Sequence, residues 1–256
     1  MARIISIVNQ KGGVGKTTTA VNLAAYLAEA GFRVLVVDID PQGNASTGFG
    51  IDIKMLNRGI YEVLIDEALP ITEVTTMIDE MLHVVPSTPD LAGAAVELVG
   101  HPEREFILQK NLATVEQYYD FILIDNPPSL GLLTINSLVA AREVLIPVQC
   151  EYYALEGLGQ LLHTIALIKE NINPHLEILG AVMTMYDGRS KLSEAVFNEL
   201  YQYFPRKIFR SVIPRNIRLA EAPSHGQTIR DYAADSKGGR AYRKLTQEII
   251  ASNVPV

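Results

Sequence analysis

The stretch Asn9–Ala20, NQKGGVGKTTTA, joins an apolar run, Arg3–Val8, to a segment in which Ala, Val and Leu recur with helical spacing. A strand, a tight turn and a helix therefore follow one another without a break. Gly12, Gly13 and Gly15 let the turn curl with its N–H groups inward, and the helix adds its unpaired first-turn N–H groups and its dipole. Such a cradle binds polyphosphate. Lys16 is placed to reach the β- and γ-phosphates, the Thr17 hydroxyl to ligate Mg²⁺, and Thr18 to donate near the α-phosphate. The Lys11–Thr18 loop, Val14 included, is the predicted polyphosphate-binding element. A glycine-rich turn that holds lysines by coincidence would not need the strand and helix on either side.

Outward from the loop, short runs of Val, Ile and Leu alternate with longer helical patterns. Strands are expected at Arg3–Val8, Val34–Asp38, Leu82–Val85, Phe121–Asp125, Val144–Val148 and Ile178–Met183. Most read as buried on both faces, and the connections are long enough for crossover helices. The predicted fold is α/β and P-loop NTPase-like, a mostly parallel twisted sheet with helices on both faces. Helices are expected at Thr17–Ala30, Pro102–Val115, Leu130–Ala140, Ala154–Glu170, Lys191–Tyr203 and Gly239–Ala251. The polar stretch Gly43–Gly59 reads as a mobile surface connection. No Gly/Ser/Pro linker or internal repeat divides the chain, so one domain is expected over residues 1–256.

Two further strands end in acids: Asp38 and Asp40 close VLVVDIDPQGN, and Asp125 closes FILID before Pro127 and Pro128. In a parallel sheet ligands gather beyond the carboxyl ends of strands, so all three carboxylates are delivered toward the glycine-rich loop. There they can hold a Mg²⁺-bound water or position an attacking one. Taken singly, each is equally well a turn or capping Asp. The paired prolines force an extended turn where a switch segment would sit.

Composition sets bounds. The chain has 256 residues, 48% hydrophobic and 20% charged, which excludes disordered and fibrous classes. Cys150, the one cysteine, excludes an intrachain disulfide and a Cys-built metal or iron–sulfur site, and points to a reducing, cytoplasmic compartment. No export signal and no eighteen-residue apolar run is present. The net charge of −7 speaks against nucleic acid until it is divided. Residues Tyr186–Lys244 carry twelve Lys/Arg against six Asp/Glu, or +6, which leaves −13 elsewhere. A basic C-terminal third suits sequence-independent binding to DNA phosphates; scattered charges on solvated faces are the alternative.

The motifs KGGVGKTT (11–18), VDIDPQGN (37–44) and IDNPPSLG (124–131), in this order, resemble the ParA/Soj branch of the ParA/MinD family of deviant Walker ATPases. PVQCEYYALEGL (147–158), TMYDGRSKLS (184–193) and VIPRNIRLAEAPSHG (212–226) extend the likeness over nearly the whole chain. Two departures stand out. Gln10 occupies the position of the first glycine of the ordinary phosphate-loop pattern, as in the deviant form with its second lysine, and Asn126 follows the Walker B acid where relatives often carry Thr, Ala or Cys.

The resemblance implies an ATP-driven switch using ATP and Mg²⁺. ATP would close two copies face to face as a homodimer; the dimer would bind double-stranded DNA without sequence preference, and a ParB/Spo0J-type partner would stimulate hydrolysis and release. It implies that Lys11 reaches the other subunit's phosphates and that Gly12 lies where the two loops approach. Asp40 would position the hydrolytic water, with Asp38 a neighbour in its network. Asp125 would act on Mg²⁺ through water, Pro214 and Asn216 would hold the adenine, and Glu151 would touch the partner's ribose. Lys11, Lys16 and Asp40 are thus the catalytic candidates. Arg189 and Arg218 match DNA-contacting arginines, with Arg215, Lys191 and Arg210 as further candidates. The implied location is the cytoplasm, on the nucleoid when ATP is bound. No helix-turn-helix precedes the loop, which argues against operator binding. The rival is a MinD-like ATPase that positions a cellular body or the division machinery at a membrane. It would need a terminal amphipathic helix on the bilayer, whereas Tyr242, Leu245 and Ile249 read as a stripe docked on the core.

Overall fold

The computed structural model describes residues 1–66, 68–151 and 157–252, with the side chains at 191, 192, 194 and 195 also outside the description. Its strands are β1 (Arg3–Ile7), β2 (Val34–Asp38), β3 (Thr76–Asp79), β4 (Leu82–Val85), β5 (Phe121–Asp125), β6 (Glu143–Gln149) and β7 (Glu177–Thr184). They form one sheet in the order β3-β4-β2-β5-β1-β6-β7. Every pair is parallel except β3 with β4.

The helices are α1 (Lys16–Glu29), α2 (Asn44–Gly48), α3 (Ile60–Ile65), α4 (Leu91–Glu97), α5 (Ile107–Ala113), α6 (Leu132–Ala140), α7 (Leu158–Asn171), α8 (Lys191–Tyr203), α9 (Ile217–Glu221), α10 (Ile229–Ala233) and α11 (Lys237–Ala251). Strand side chains alternate between two cores, as the two-residue period of a strand requires. Ile5 and Ile7 of β1, Val34 and Val36 of β2, and Phe121 and Leu123 of β5 face α1 and α11. Ile4, Leu35, Val37, Ile122 and Ile124 face the opposite core with α5, α6 and α7. Each such aliphatic side chain, fully removed from water, contributes roughly 1.5–3 kcal/mol. The expected α/β architecture is the one found.

The six expected strands are all present. The structure adds β3, a four-residue edge strand of half-exposed side chains with too little apolar alternation to announce itself. The Gly43–Gly59 stretch is not a mobile connection throughout. Gly43, with φ 61, starts α2, and Ala45 and Ser46 are fully buried because Ser46 reaches back to Asp38. Five helical residues are too few to show a period. The helix expected from Pro102 begins only at Ile107, after Glu103 takes a left-handed φ of 55. The start expected for α7, from Ala154, falls partly outside the described residues. Ser236 caps α11 by accepting the Gly239 N–H at 3.0 Å, so that helix starts two residues before the expected Gly239.

Candidate active site

β1 lies between β5 and β6, and its chain leaves the carboxyl end of the sheet directly into the glycine-rich loop. Asn9 fixes the exit, donating to the Pro147 carbonyl at 2.8 Å and accepting the Lys11 N–H at 3.0 Å. Gly13 (φ 75) and Gly15 (φ 89) adopt left-handed conformations that a side chain would strain. Thr184, at the end of β7, clamps the loop by donating to the Val14 carbonyl at 2.7 Å. Val14 is itself fully buried, so it can offer a ligand only its backbone. Gln10, in place of glycine, has its amide oxygen 2.8 Å from where a Cβ on Gly157 would stand, packing the loop against the start of α7.

The three acids arrive as their strands require. Asp38 and Asp125 are opposite each other in the β2–β5 register, both with no exposed surface. Asp38 is held by the Ser46 hydroxyl (2.7 Å), the Ser46 N–H (2.8 Å) and the Asp40 N–H (3.2 Å). Neither oxygen of Asp125 accepts a hydrogen bond of ordinary geometry. Burial, then the neighbouring Asp38 charge, pushes the Asp125 carboxyl well above the usual range, against the pull of the Thr17 hydroxyl and Lys16. Burial likewise raises Asp38, to about 6, against its hydrogen bonds from Ser46. Lys16 is nearly buried, with Nζ donating to the Lys11 carbonyl at 3.2 Å; burial lowers its pKa while Asp125 and Asp40 favour its charge.

Two adjacent buried carboxyls, one with both oxygens orphaned, fit a hard cation held through oxygen. Among the described residues no three His, Cys, Asp or Glu are placed to hold an ion by themselves. Thr17 and a water on Asp125 would therefore complete the shell with phosphate oxygens, the usual arrangement for Mg²⁺.

A cavity of about 430 Å³ opens beside these groups. Gly12, Gly13, Gly15, Lys16, Thr17 and Thr18 line it together with Asp40, Pro128, Met185, Ala222, Pro223 and Gln227. Asp40 accepts the Gln42 N–H at 3.0 Å through one oxygen and, among the described residues, keeps the other without a hydrogen bond. Pro214 and Asn216 do not line this cavity. Pro214 bridges to Tyr186, one residue beyond Met185, and Asn216 caps α9 by accepting the Arg218 N–H at 2.8 Å. Sequence reasoning misses Met185, left-handed at φ 51, and Ala222 and Pro223, although they lie inside the quoted stretches TMYDGRSKLS and VIPRNIRLAEAPSHG; Gln227 follows the second stretch directly. Asn126 has a structural place: its amide, fully buried, donates to the Ser6 hydroxyl (3.0 Å), the Ile7 carbonyl (3.1 Å) and the Ile124 carbonyl (3.2 Å).

Of the basic candidates, Arg189 and Arg210 line grooves that share no lining residue with this cavity, whereas Arg215 and Arg218 line neither groove. A groove of about 610 Å³ contains Arg189 and Arg210, and a second of about 710 Å³ contains Arg210, Lys237, Arg240 and Lys244. Arg210 and Val212 belong to both, so the two form one trough. Arg189, 91% exposed, pairs with Asp187 at 3.1 Å; Arg218 pairs with Glu221 at 2.8 Å; Arg215 pairs with Glu151 at 3.2 Å. Exposed pairs of this kind exchange easily for phosphate. The Lys191 side chain lies outside the described residues. Among the described residues, no helix is long and apolar enough to cross a membrane.

Residues 2–178 match the family model described as an AAA domain. Over 254 residues, 98% of this chain and 100% of the relative, the sequence is 52% identical to the sporulation initiation inhibitor protein Soj of Bacillus subtilis. Over 253 residues, 98% of each, it is 51% identical to the chromosome-partitioning ATPase Soj of Treponema pallidum. Among solved structures, cobyrinic acid a,c-diamide synthase from Mycobacterium smegmatis, with bound ADP and magnesium, superposes with a TM-score of 0.86 at 37% identity, covering 98% of this chain and 94% of that one.

Proposed function

The chain belongs to the Soj/ParA family of chromosome-partitioning ATPases, and from that premise we propose that it is an ATP-dependent dimerisation switch that binds DNA without sequence preference and hydrolyses ATP when a ParB-type partner stimulates it. It is an ATPase that uses Mg²⁺. The observation that carries the chemistry is Asp125, fully buried with both oxygens unpartnered beside Thr17 and Lys16.

The loop N–H groups from Gly13 to Thr18 cradle the phosphates, and Lys16 turns from the Lys11 carbonyl to the β- and γ-oxygens. Thr17 and, through a water, Asp125 would hold the cation, which would neutralise charge on the phosphate oxygens. Asp40, braced by the Gln42 N–H, orients the attacking water through its free oxygen. Lys11 is half-exposed at the rim and reaches into the partner's site, a charge supplied in trans as an arginine finger is elsewhere. Dimerisation thereby gates turnover. Gly12, exposed at the loop crest, marks the closest approach of the two copies, and Glu151 reaches the partner's ribose.

The trough through Arg189, Arg210 and Lys244 supports the DNA reading, with Arg218 on α9 and Arg215 just before that helix as further candidates. In the ATP state the dimer sits on the nucleoid. Adenine lies toward Met185, with Pro214, bridged to the next residue Tyr186, and Asn216 as the contacts the family resemblance assigns. The membrane alternative is disfavoured because Tyr242, Leu245 and Ile249 of α11 are buried in the core shared with α1 and the sheet, so the apolar stripe of that helix faces the protein.

The test measures DNA binding and molecular size on the same samples with ATP, ADP and no nucleotide, with and without a candidate centromere-binding partner. Dimers that hold DNA only with ATP, and that release it when the partner is added, are expected. Equal DNA affinity in all three nucleotide states would refute the switch.

A further inference from the structure

On the reading of residues 11–18 as the ATP site, we infer that Tyr242, on the last helix, is a positioning residue for the phosphate loop, acting through Thr19 on the peptide that joins Gly15 to Lys16.

Thr19 has no exposed surface, and its hydroxyl donates to the Gly15 carbonyl at 2.7 Å. The same carbonyl accepts the Thr19 N–H at 2.9 Å. A hydroxyl has one proton, and Thr19 has spent its own on Gly15. The 3.2 Å contact between the Thr19 and Tyr242 hydroxyls is therefore donated by Tyr242. The direction of the chain is fixed: Tyr242 to Thr19 to Gly15. Burial raises the Tyr242 pKa, which keeps that proton in place.

The Gly15 carbonyl is the point that matters. A trans peptide sets its C=O and N–H on opposite sides, so anchoring the Gly15 oxygen toward α1 aims the Lys16 N–H outward, among the groups that line the cavity. Glycine at φ 89 would otherwise let that peptide swing. Two hydrogen bonds into one carbonyl remove the freedom.

Tyr242 is well placed to brace them. It is 1% exposed, and α11 is locked onto α1 by Leu245 and Ile249 in the same core and by Arg243, which lies 5.2 Å from the Tyr26 ring centroid and pairs with Glu29. Phenylalanine would fill the same space with no polar atom to satisfy. The hydroxyl has Thr19 as its one side-chain partner among the described residues, so its presence in this core is explained by that bond.

Nucleotide affinity of the full chain separates positioning from packing. Mg²⁺-ADP and a Mg²⁺-bound non-hydrolysable ATP analogue are titrated into wild type, Tyr242→Phe, Thr19→Val, the double variant and Thr19→Ser, and nucleotide-free melting is recorded for each. Tyr242→Phe is expected to weaken nucleotide binding about fivefold, the loss of one ordinary hydrogen bond, and Thr19→Val by at least as much. The double variant should bind no more weakly than Thr19→Val, since both act through one path, and Thr19→Ser should stay within twofold of wild type. Unchanged affinity in Tyr242→Phe and Thr19→Val, whatever their melting temperatures, overturns the inference, as do effects that multiply in the double variant. A wild-type chain that binds neither nucleotide would instead overturn the reading of the site.

Discussion

Replacing Asp38 by Asn should stabilise the nucleotide-free protein at neutral pH and flatten its response to acid. The Asp38 carboxyl is displaced from an ordinary value of 3.8 up to about 6, chiefly by burial. The native state therefore binds more protons than the unfolded chain between those values, and stability falls as pH rises through them. A displacement of roughly two pH units, each worth about 1.4 kcal/mol, makes the ionised Asp38 a burden on the order of 3 kcal/mol above pH 6. Below pH 4 both states are protonated and the penalty vanishes. Asn keeps the important contacts: its oxygen can accept the Ser46 hydroxyl and N–H now bound to one Asp38 oxygen at 2.7 and 2.8 Å, and only the longer bond from the Asp40 N–H is lost. Urea unfolding from pH 4 to 7.5, without nucleotide or Mg²⁺, gives the comparison. The variant should gain on wild type by about 1–3 kcal/mol at pH 7.5 and converge with it near pH 4. Parallel stability profiles over the whole range would refute the account of Asp38 as a buried carboxyl that ionises at a loss.

Lys11→Ala should retain Mg²⁺-ADP binding yet lose ATP-dependent dimerisation and lower partner-stimulated turnover about 10³-fold or more, checked by sizing and phosphate release. Asp40→Ala is expected to bind ATP and dimerise while turnover drops about 10²–10³-fold, so that the protein accumulates on DNA; normal cycling would remove Asp40 from its role. Gly12→Val should fold with an unchanged melting temperature, because a Cβ there meets only the Pro128 Cβ at 3.9 Å, but remain monomeric with ATP in light scattering. The Arg189→Ala, Arg218→Ala double variant should weaken ATP-dependent DNA binding and make the log–log salt slope shallower by about 1.8, at about 0.9 for each phosphate contact; an unaltered slope would move the DNA surface elsewhere.

The parts legible in the sequence are those whose cause is local. β2 and β5 are runs of Val, Ile and Leu buried on both faces, and the loop declares itself through three glycines between a strand and a helix. Asp38, Asp40 and Asp125 could be placed because the ends of parallel strands meet. What stayed hidden is held by distant partners. α2 exists because Ser46 bonds to Asp38 eight residues away, a contact with no periodicity to detect. Met185 and Gln227 reach one cavity from separate segments, and the Thr19–Tyr242 contact spans 223 residues. Their side chains are ordinary ones whose neighbours only the topology supplies. The expected adenine contacts, Pro214 and Asn216, are absent from the lining of the cavity: the chain after β7 pairs Tyr186 with Pro214, and Pro214 lines the groove that holds Arg210 and Lys244.

The adjacency of β1, β5 and β2 makes the backbone ladder the ruler of the candidate catalytic centre. The glycine-rich loop springs from β1, Asp125 from its neighbour β5, and Asp38 from β2 one place further on, each strand hydrogen-bonded to the next. Neighbouring strands stand about 4.8 Å apart whatever their side chains. The lateral spacing of loop and acids is thus inherited from peptide geometry, while only their height above the sheet is left to the residues that follow each strand. Core substitutions beneath the site should loosen or lift it as one body, and changes in turns such as Asp40–Gly43 should retune a single group against a fixed lattice.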